Sequence, residues 1–171
     1  RQTSSMLAML GATPVGMPLP GIPEGLSKGV IDGAIVPYEI APSIKLDELT
    51  KFVAETDRSQ PAMCATIFAT AMNLAKYQSM PADLRAVIDR NSGLETSGMF
   101  GRIQGDADVP ARKRIVDAGV KINVIPADEL NRWRQATGSL DDQWAAAISA
   151  KGQDGKALLQ VARDLVKKNT K

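Results

Sequence analysis

Between Gly11 and Gly33 the chain reads GATPVGMPLPGIPEGLSKGVIDG, and the spacing of proline and glycine limits what this stretch can become. Residues 12–17 read as a short strand, which Pro18 and Pro20 break because proline has no N–H for a ladder. Ile22 and Leu26 fall one helical turn apart, so 21–28 reads as a short helix closed by Gly29. Asp32-Gly33 punctuates the chain before Ala34 to Val36, an apolar stretch that reads as a buried strand stopped by Pro37. Such a unit sets loop backbone and a helix N-terminus at the end of a small sheet, where anionic small molecules are commonly held.

Upstream, Ser4 to Leu10 reads as a short helix with Met6, Leu7 and Leu10 facing inward and Gly11 as its C-cap. Downstream, 43–49 is a short helix or loop and 51–55 an extended edge segment. Met63 to Met72 is apolar and partly β-branched, and reads as a buried strand running between lobes. Asn73 to Gln78 is a helical turn. A longer helix starts at Pro81 with Leu84, Val87 and Ile88 on one face; it either stops near Gly93 or reaches about Gln104, three glycines weighing against the longer form. Ala111 to Ala118 is a separate helical piece. Lys121 to Ile125 alternates as a half-buried strand. Helices follow from Asp128 to Ala136, from Asp141 or Asp142 onward, and over the last residues, where Leu158, Leu159, Ala162, Leu165 and Val166 make one apolar stripe. Alternating strands and helices early, then mostly helix, imply an α/β fold with a mixed, partly parallel sheet covered by helices.

With 171 residues, 44% of them hydrophobic, the chain can bury a sizeable core, but aromatics are only 4%, so aliphatic side chains and seven methionines must fill it. The net charge of +2 comes from interspersed acids and bases, which argues against a nucleic-acid partner. There is no histidine, which removes histidine-based triads and histidine-ligated zinc. The single cysteine, Cys64, sits in an apolar run and reads as a buried, inert thiol. No run of apolar residues is long enough for a membrane span. The chain opens at Arg1 without Met, which reads as an N-terminal truncation.

Candidate chemistry is sparse. The pairs Asp47-Glu48, Asp128-Glu129 and Asp141-Asp142 each fall near a helix start, where acids suit the dipole, so a structural role outweighs acid–base work. Asp106-x-Asp108 lacks the further ligands of a calcium loop. Trp133 and Trp144 read as helix-to-core packing. Tyr38 follows a strand and a proline at the mouth of a crevice, where pocket wall and core packing are equally supported. Arg1 precedes a capped helix; an anion clamp and a solvated terminal residue are the two readings.

The run GATPVGMPLPGIPEGLSKGVIDGAIVPYE resembles the solute-binding proteins of TRAP transporters, the dicarboxylate-binding (DctP-like) type. The matching residues are Gly11-Ala12, Pro14, Met17-Pro18, Glu24-Gly25-Leu26 and Gly29-Val30-Ile31-Asp32-Gly33. Met72-Asn73, Tyr77, Met80-Pro81 and Leu84 look like a second family segment, and Gly119 to Ile122 like a third. The resemblance implies two α/β lobes around a ligand cleft, of which this chain is the C-terminal half or so. It implies three parts: 1–60, a ligand-binding α/β portion; 61–118, an inter-lobe crossing strand and long helix; and 119–171, a returning strand and C-terminal helices.

By the same resemblance, the family's chief carboxylate-binding Arg lies just ahead of Arg1, which matches a nearby second position. Leu19 matches a ligand-facing apolar position, and Val36 a ligand contact with Pro37 and Tyr38 beside it; Phe68 is a further wall candidate. These side chains form a largely apolar wall, so the expected ligand is an organic carboxylate with an apolar or aromatic tail. The implied role is periplasmic capture of that acid without chemistry or cofactor, and delivery to TRAP membrane permease subunits. A ligand-sensing domain of a receptor or regulator, and a two-lobe enzyme, are the alternatives. A chain lacking its other lobe is expected to be able to dimerise or swap strands.

Overall fold

The computed structural model describes residues 2–57, 59–60, 62–63 and 67–169. Two compact units emerge. The described residues of one come from 2–16, 56–63 and 124–169, and those of the other from 17–55 and 67–123.

The first unit is helical. It contains α1 (Gln2–Met9), α7 (Ala127–Thr137), α8 (Ser139–Ser149) and α9 (Gly155–Asn169). Helix α1 ends at Gly11, whose φ of 88° is costly for any residue with a Cβ. Asp128 and Glu129 lie in the first turn of α7, and Asp141 and Asp142 in that of α8, where carboxylates complement unpaired N–H groups. Met6, Leu130 and Ala145 are buried, Leu130 completely, and they tie α1 to α7 and α8. Helix α9 packs on α8 at very short range. A Cβ on Gly155 would stand 2.1 Å from the carbonyl oxygen of Ala145. The stripe expected on α9 is present, but Leu158, Val161, Leu165 and Val166 are each more than 40% exposed, so most of it stays outside this unit's core.

The second unit carries the sheet and the larger core. A 3-10 turn, Leu19–Gly21, leads into α2 (Ile22–Ser27), and a longer 3-10 turn, Tyr38–Ile44, leads into α3 (Leu46–Leu49). Lys45 joins the last two in the left-handed region at φ 56°. Strand β1 (Phe52–Thr56) pairs in parallel with β2 (Lys121–Ile125), the ladder beginning where the Lys121 N–H donates to the Lys51 carbonyl at 3.0 Å. Between them run α4 (Leu74–Gln78), α5 (Ala82–Arg90) and α6 (Leu94–Asp117). Asn73 caps α4, its side chain accepting from the Lys76 N–H at 3.1 Å. The core joins Ile22, Ala41, Ile44, Leu46, Ile115 and Val120, with Leu26, Val36, Tyr38, Val53 and Ile122 packed around it.

The α/β class stands, but several expected elements differ. The sheet has two strands among the described residues. Residues 12–17 and 34–36 are irregular, without strand pairing, and 12–17 is mostly exposed. The described part of the expected crossing strand, 67–72, has no ladder and lies in solvent, with Ile67 89% and Phe68 62% exposed. An apolar β-branched run becomes a strand only where neighbouring backbone offers its free N–H and C=O groups a partner, and none of the described residues does so here. Helix α6 is continuous from Leu94 through Pro110, where two pieces were expected. Proline inside a helix costs about 3 kcal/mol, but Pro110 stands just before Ala111 and Ile115, the two buried residues of this helix, and their packing holds it in place. The expectation for Cys64 lies outside the described residues.

Gly155→Ala forces a methyl group against backbone that has no rotamer to retreat into. Urea unfolding is expected to show a loss of roughly 2 kcal/mol or more, and an unchanged midpoint would contradict the α8–α9 contact as described.

Candidate functional site

Segment 32–38 is the part of the second unit where sequence reasoning placed binding residues. Its start is anchored where the Ile31 N–H donates to the Gly25 carbonyl at 3.2 Å. From Asp32 to Val36 no backbone hydrogen bond holds it among the described residues. Pro37 then opens the 3-10 turn, its carbonyl accepting from the Ile40 N–H at 3.3 Å. Packing of Ile31 and Val36 on the core gives the segment its inner contacts.

Tyr38 supplies the polar anchor. Its hydroxyl donates to Glu55 Oε2 at 2.8 Å. Arg112 faces the same carboxylate as a fork, Nε to Oε2 at 2.8 Å and Nη2 to Oε1 at 2.7 Å. The Glu55 side chain is only 16% exposed and that of Arg112 31%, so this pair is shielded from water far better than an ordinary surface ion pair. Burial, then the hydrogen bond to and negative charge of Glu55, push the Tyr38 phenol from 10.0 up to about 12. The hydroxyl therefore stays protonated and committed to Glu55 throughout the physiological range. Arg112 is held above its usual range, first by the Glu55 hydrogen bond.

Two more polar links fasten α6 to this region. The Glu39 N–H donates to Asp108 Oδ1 at 3.1 Å; burial first, then the Asp108 carboxylate, raises the Glu39 carboxyl. Arg114 Nε meets Asp47 Oδ2 at 2.6 Å, with the Asp47 side chain 6% exposed and its Oδ1 unpartnered among the described residues. Asp106 and Asp108 both lie within α6. No group of three or more potential metal ligands occurs among the described residues.

A hollow of about 520 Å³ lies beside this region, walled by Leu19, Pro20 and Pro23 on one side and Ile40, Ile44 and Lys45 on the other. Its surface is mainly apolar, with Ser43 and Lys45 the polar residues among its lining. Leu19 is 43% exposed.

The sequence-derived residues are thus distributed unevenly. Val36 and Tyr38 are half-buried on one core, joined by the half-buried Pro37 between them. Leu19 lines the hollow, whose Ile44 belongs to that same core. Val36, Pro37, Tyr38 and Phe68 do not line it. Phe68 stands exposed in the irregular stretch after the undescribed residues 64–66. Arg1 lies outside the described residues. Sequence reasoning missed Glu55 and Arg112. A signal existed for Glu55: two residues beyond the core-facing Val53 on a strand, it falls on the same face, where a carboxylate requires a partner.

The chain belongs to the bacterial extracellular solute-binding proteins of family 7 (DctP), whose model matches residues 1–147. Among solved structures it is similar to a TRAP solute-binding protein from Rhodoferax ferrireducens T118 in complex with copurified benzoate, at 45% identity and a TM-score of 0.91 over 98% of this chain and 52% of that one. It is also similar to a marine metagenome TRAP solute-binding protein specific for aromatic acid ligands, in complex with 3-hydroxybenzoate, at 40% identity and a TM-score of 0.86 over 100% and 53% of the two chains. A TRAP periplasmic solute-binding protein from Bordetella bronchiseptica with bound mandelate shares the fold, with a TM-score of 0.82 at 24% identity over 97% of this chain and 52% of that one. This chain spans about half the length of these relatives.

The raised Tyr38 pKa predicts a pH dependence with a definite sign. A folded-state value above the unfolded one contributes stability that is complete below pH 10 and is lost as pH rises through about 12. At neutral pH, Tyr38→Phe is expected to cost roughly 1.5–3 kcal/mol, the usual worth of a hydrogen bond to a charged group. Denaturation curves of wild type and Tyr38→Phe should converge between pH 10 and 12; a gap that stays constant would refute the assignment.

Proposed function

We propose that this protein is the periplasmic solute-binding component of a TRAP-type transporter, capturing an organic carboxylate with an aromatic or otherwise apolar body and handing it, unreacted, to membrane permease subunits. The observation that carries this reading is the 45% identity, over nearly the whole chain, to a relative that holds benzoate. The 40% identity to a protein specific for aromatic acids points the same way.

The side chains offered on this side of the ligand suit such a molecule. Leu19, Val36, Pro37, the Tyr38 ring and Phe68 are the proposed apolar contacts. Tyr38 has already committed its hydroxyl to Glu55. A polyhydroxylated acid set against this wall would leave buried hydroxyls without partners, each costing about 1–3 kcal/mol. A flat ring loses nothing by the same exchange. The carboxylate is proposed to meet the arginine that the family resemblance places upstream of Arg1, with Arg1 assisting. Binding and release need only lobe closure and opening, with no group transferring protons or electrons.

Thermal-shift screening of the full-length protein against benzoate, 3-hydroxybenzoate, mandelate and a sugar acid such as gluconate tests this. At a hundredfold excess over Kd, a true ligand stabilises by about 2.7 kcal/mol. Stabilisation by the aromatic acids and none by gluconate is expected. Stabilisation by gluconate alone would overturn the ligand class, and turnover of a bound acid would overturn the non-catalytic reading.

A further inference from the structure

Segment 32–36 poses a mechanical problem. It is irregular and largely exposed, and no backbone hydrogen bond ties it down among the described residues. An irregular segment without backbone partners is free to shift unless its ends are pinned. One end is pinned to α2 through Ile31 and Gly25. At the other end the polar fastenings are the Tyr38 hydroxyl on Glu55 and, one residue further on, the Glu39 N–H on Asp108 Oδ1; only the first acts through a side chain of the proposed wall.

We propose that Glu55 and Arg112 are positioning residues for the binding wall: acting through the Tyr38 hydroxyl, they clamp the C-terminal end of segment 32–38 so that Val36, Pro37 and the Tyr38 ring present a preset apolar surface. This rests on the binding role proposed above for Val36 to Tyr38.

The division of labour follows from where the three residues stand. Glu55 lies on β1, the rigid paired strand, and Arg112 on the part of α6 flanked by buried Ala111 and Ile115. Both are carried by elements that the core already fixes. Tyr38 heads the 3-10 turn and borders the unbonded segment 32–36. Arg112 takes both Glu55 oxygens in a fork, which sets the plane of the carboxylate and aims Oε2 at the phenol. The phenol is thereby withheld from any ligand, and the ring alone is offered. A wall set in advance spares the ligand the ordering cost that a mobile one would impose at binding.

The test separates positioning from plain stability. Benzoate affinity of the full-length protein would be measured by calorimetry for wild type, Tyr38→Phe, Glu55→Gln and Arg114→Gln. Tyr38→Phe keeps the ring and removes only the hydroxyl. Glu55→Gln still accepts from Tyr38 but loses the charged fork. Arg114→Gln breaks the neighbouring ion pair to Asp47, also on α6, and leaves the clamp intact. Tyr38→Phe is expected to weaken benzoate binding about fivefold or more, the equivalent of one net hydrogen bond. Glu55→Gln should show a smaller loss in the same direction, and Arg114→Gln an affinity within about twofold of wild type despite a lowered Tm. Unchanged affinity in Tyr38→Phe, or a loss in Arg114→Gln matching its loss of Tm, would overturn the clamp. A wild type that binds none of the aromatic acids would overturn the function proposed above. The clamp is then decided without ligand, by methyl order parameters of Val36, which should fall in Tyr38→Phe; equal values in the two proteins would overturn it.

Discussion

The burial of one turn of α6 against the 3-10 turn Tyr38–Ile44 is the contact on which the second unit depends. Ala111 and Ile115, four residues apart, are the only residues of this long helix that are buried, and Ile115 joins Ala41, Ile44 and Val120 in the core. Helical spacing then sets the rest. With Ile115 inward, Arg112, three residues earlier, is brought to Glu55 on the strand, and Arg114 is brought to Asp47 on α3. Asp108, one turn before Arg112, meets the Glu39 N–H. Three polar links to three different elements thus follow from one apolar registration. Hydrophobic burial, which is non-directional, supplies the free energy. The charged pairs add little net stability, but they permit only one rotation and translation of the helix.

The same argument explains why the helix tolerates what its sequence opposes. Gly98, Gly101 and Gly105 each disfavour helix by about 1 kcal/mol and Pro110 by about 3 kcal/mol. The glycines lie in the solvent-facing first half, where a Cβ would meet little or nothing, so they reflect no packing need within this chain. Pro110 stands where tertiary contact is strongest. Local propensity is a weak prior that packing overrides, and here it misplaces a helix boundary by treating one 24-residue helix as two pieces.

Legibility in the sequence divides along the same line. The helices α1, α2, α4, α7, α8 and α9 were readable, because caps, glycine terminators and first-turn acids act within a few residues. Strand β2 was readable from alternation, and β1 only as an extended or edge segment. The segments 12–17, 34–36 and 67–72 were not, because apolar content reveals a wish for burial but not whether another strand lies beside it. Of the candidate site, Val36, Pro37 and Tyr38 lie together, half-buried against the core of the second unit, while Leu19 lines a hollow that they do not reach. Glu55 and Arg112 stand 57 residues apart in sequence, and no local pattern joins them. For Tyr38, where the sequence left pocket wall and core packing open, the structure shows a polar end already bonded to Glu55.

That commitment bears on the proposed specificity for an organic carboxylate. Recognition of a carboxylate tells one organic acid from another only weakly, since every candidate carries the same group. Discrimination must come from what surrounds the rest of the molecule, and polar groups discriminate far more strongly than apolar ones because an unpaired buried polar atom costs more than a poorly filled gap. A wall whose one hydroxyl is turned to an internal carboxylate has no polar group to leave unpaired and none to satisfy a sugar acid. Under the proposed function such a wall would accept flat apolar bodies and penalise hydroxyl-rich ones, while differing little between ring substituents of similar polarity. On the proposal that Val36 to Tyr38 face the ligand, the Glu55–Arg112 pair would act on selectivity without touching the ligand, because it holds the Tyr38 hydroxyl inward.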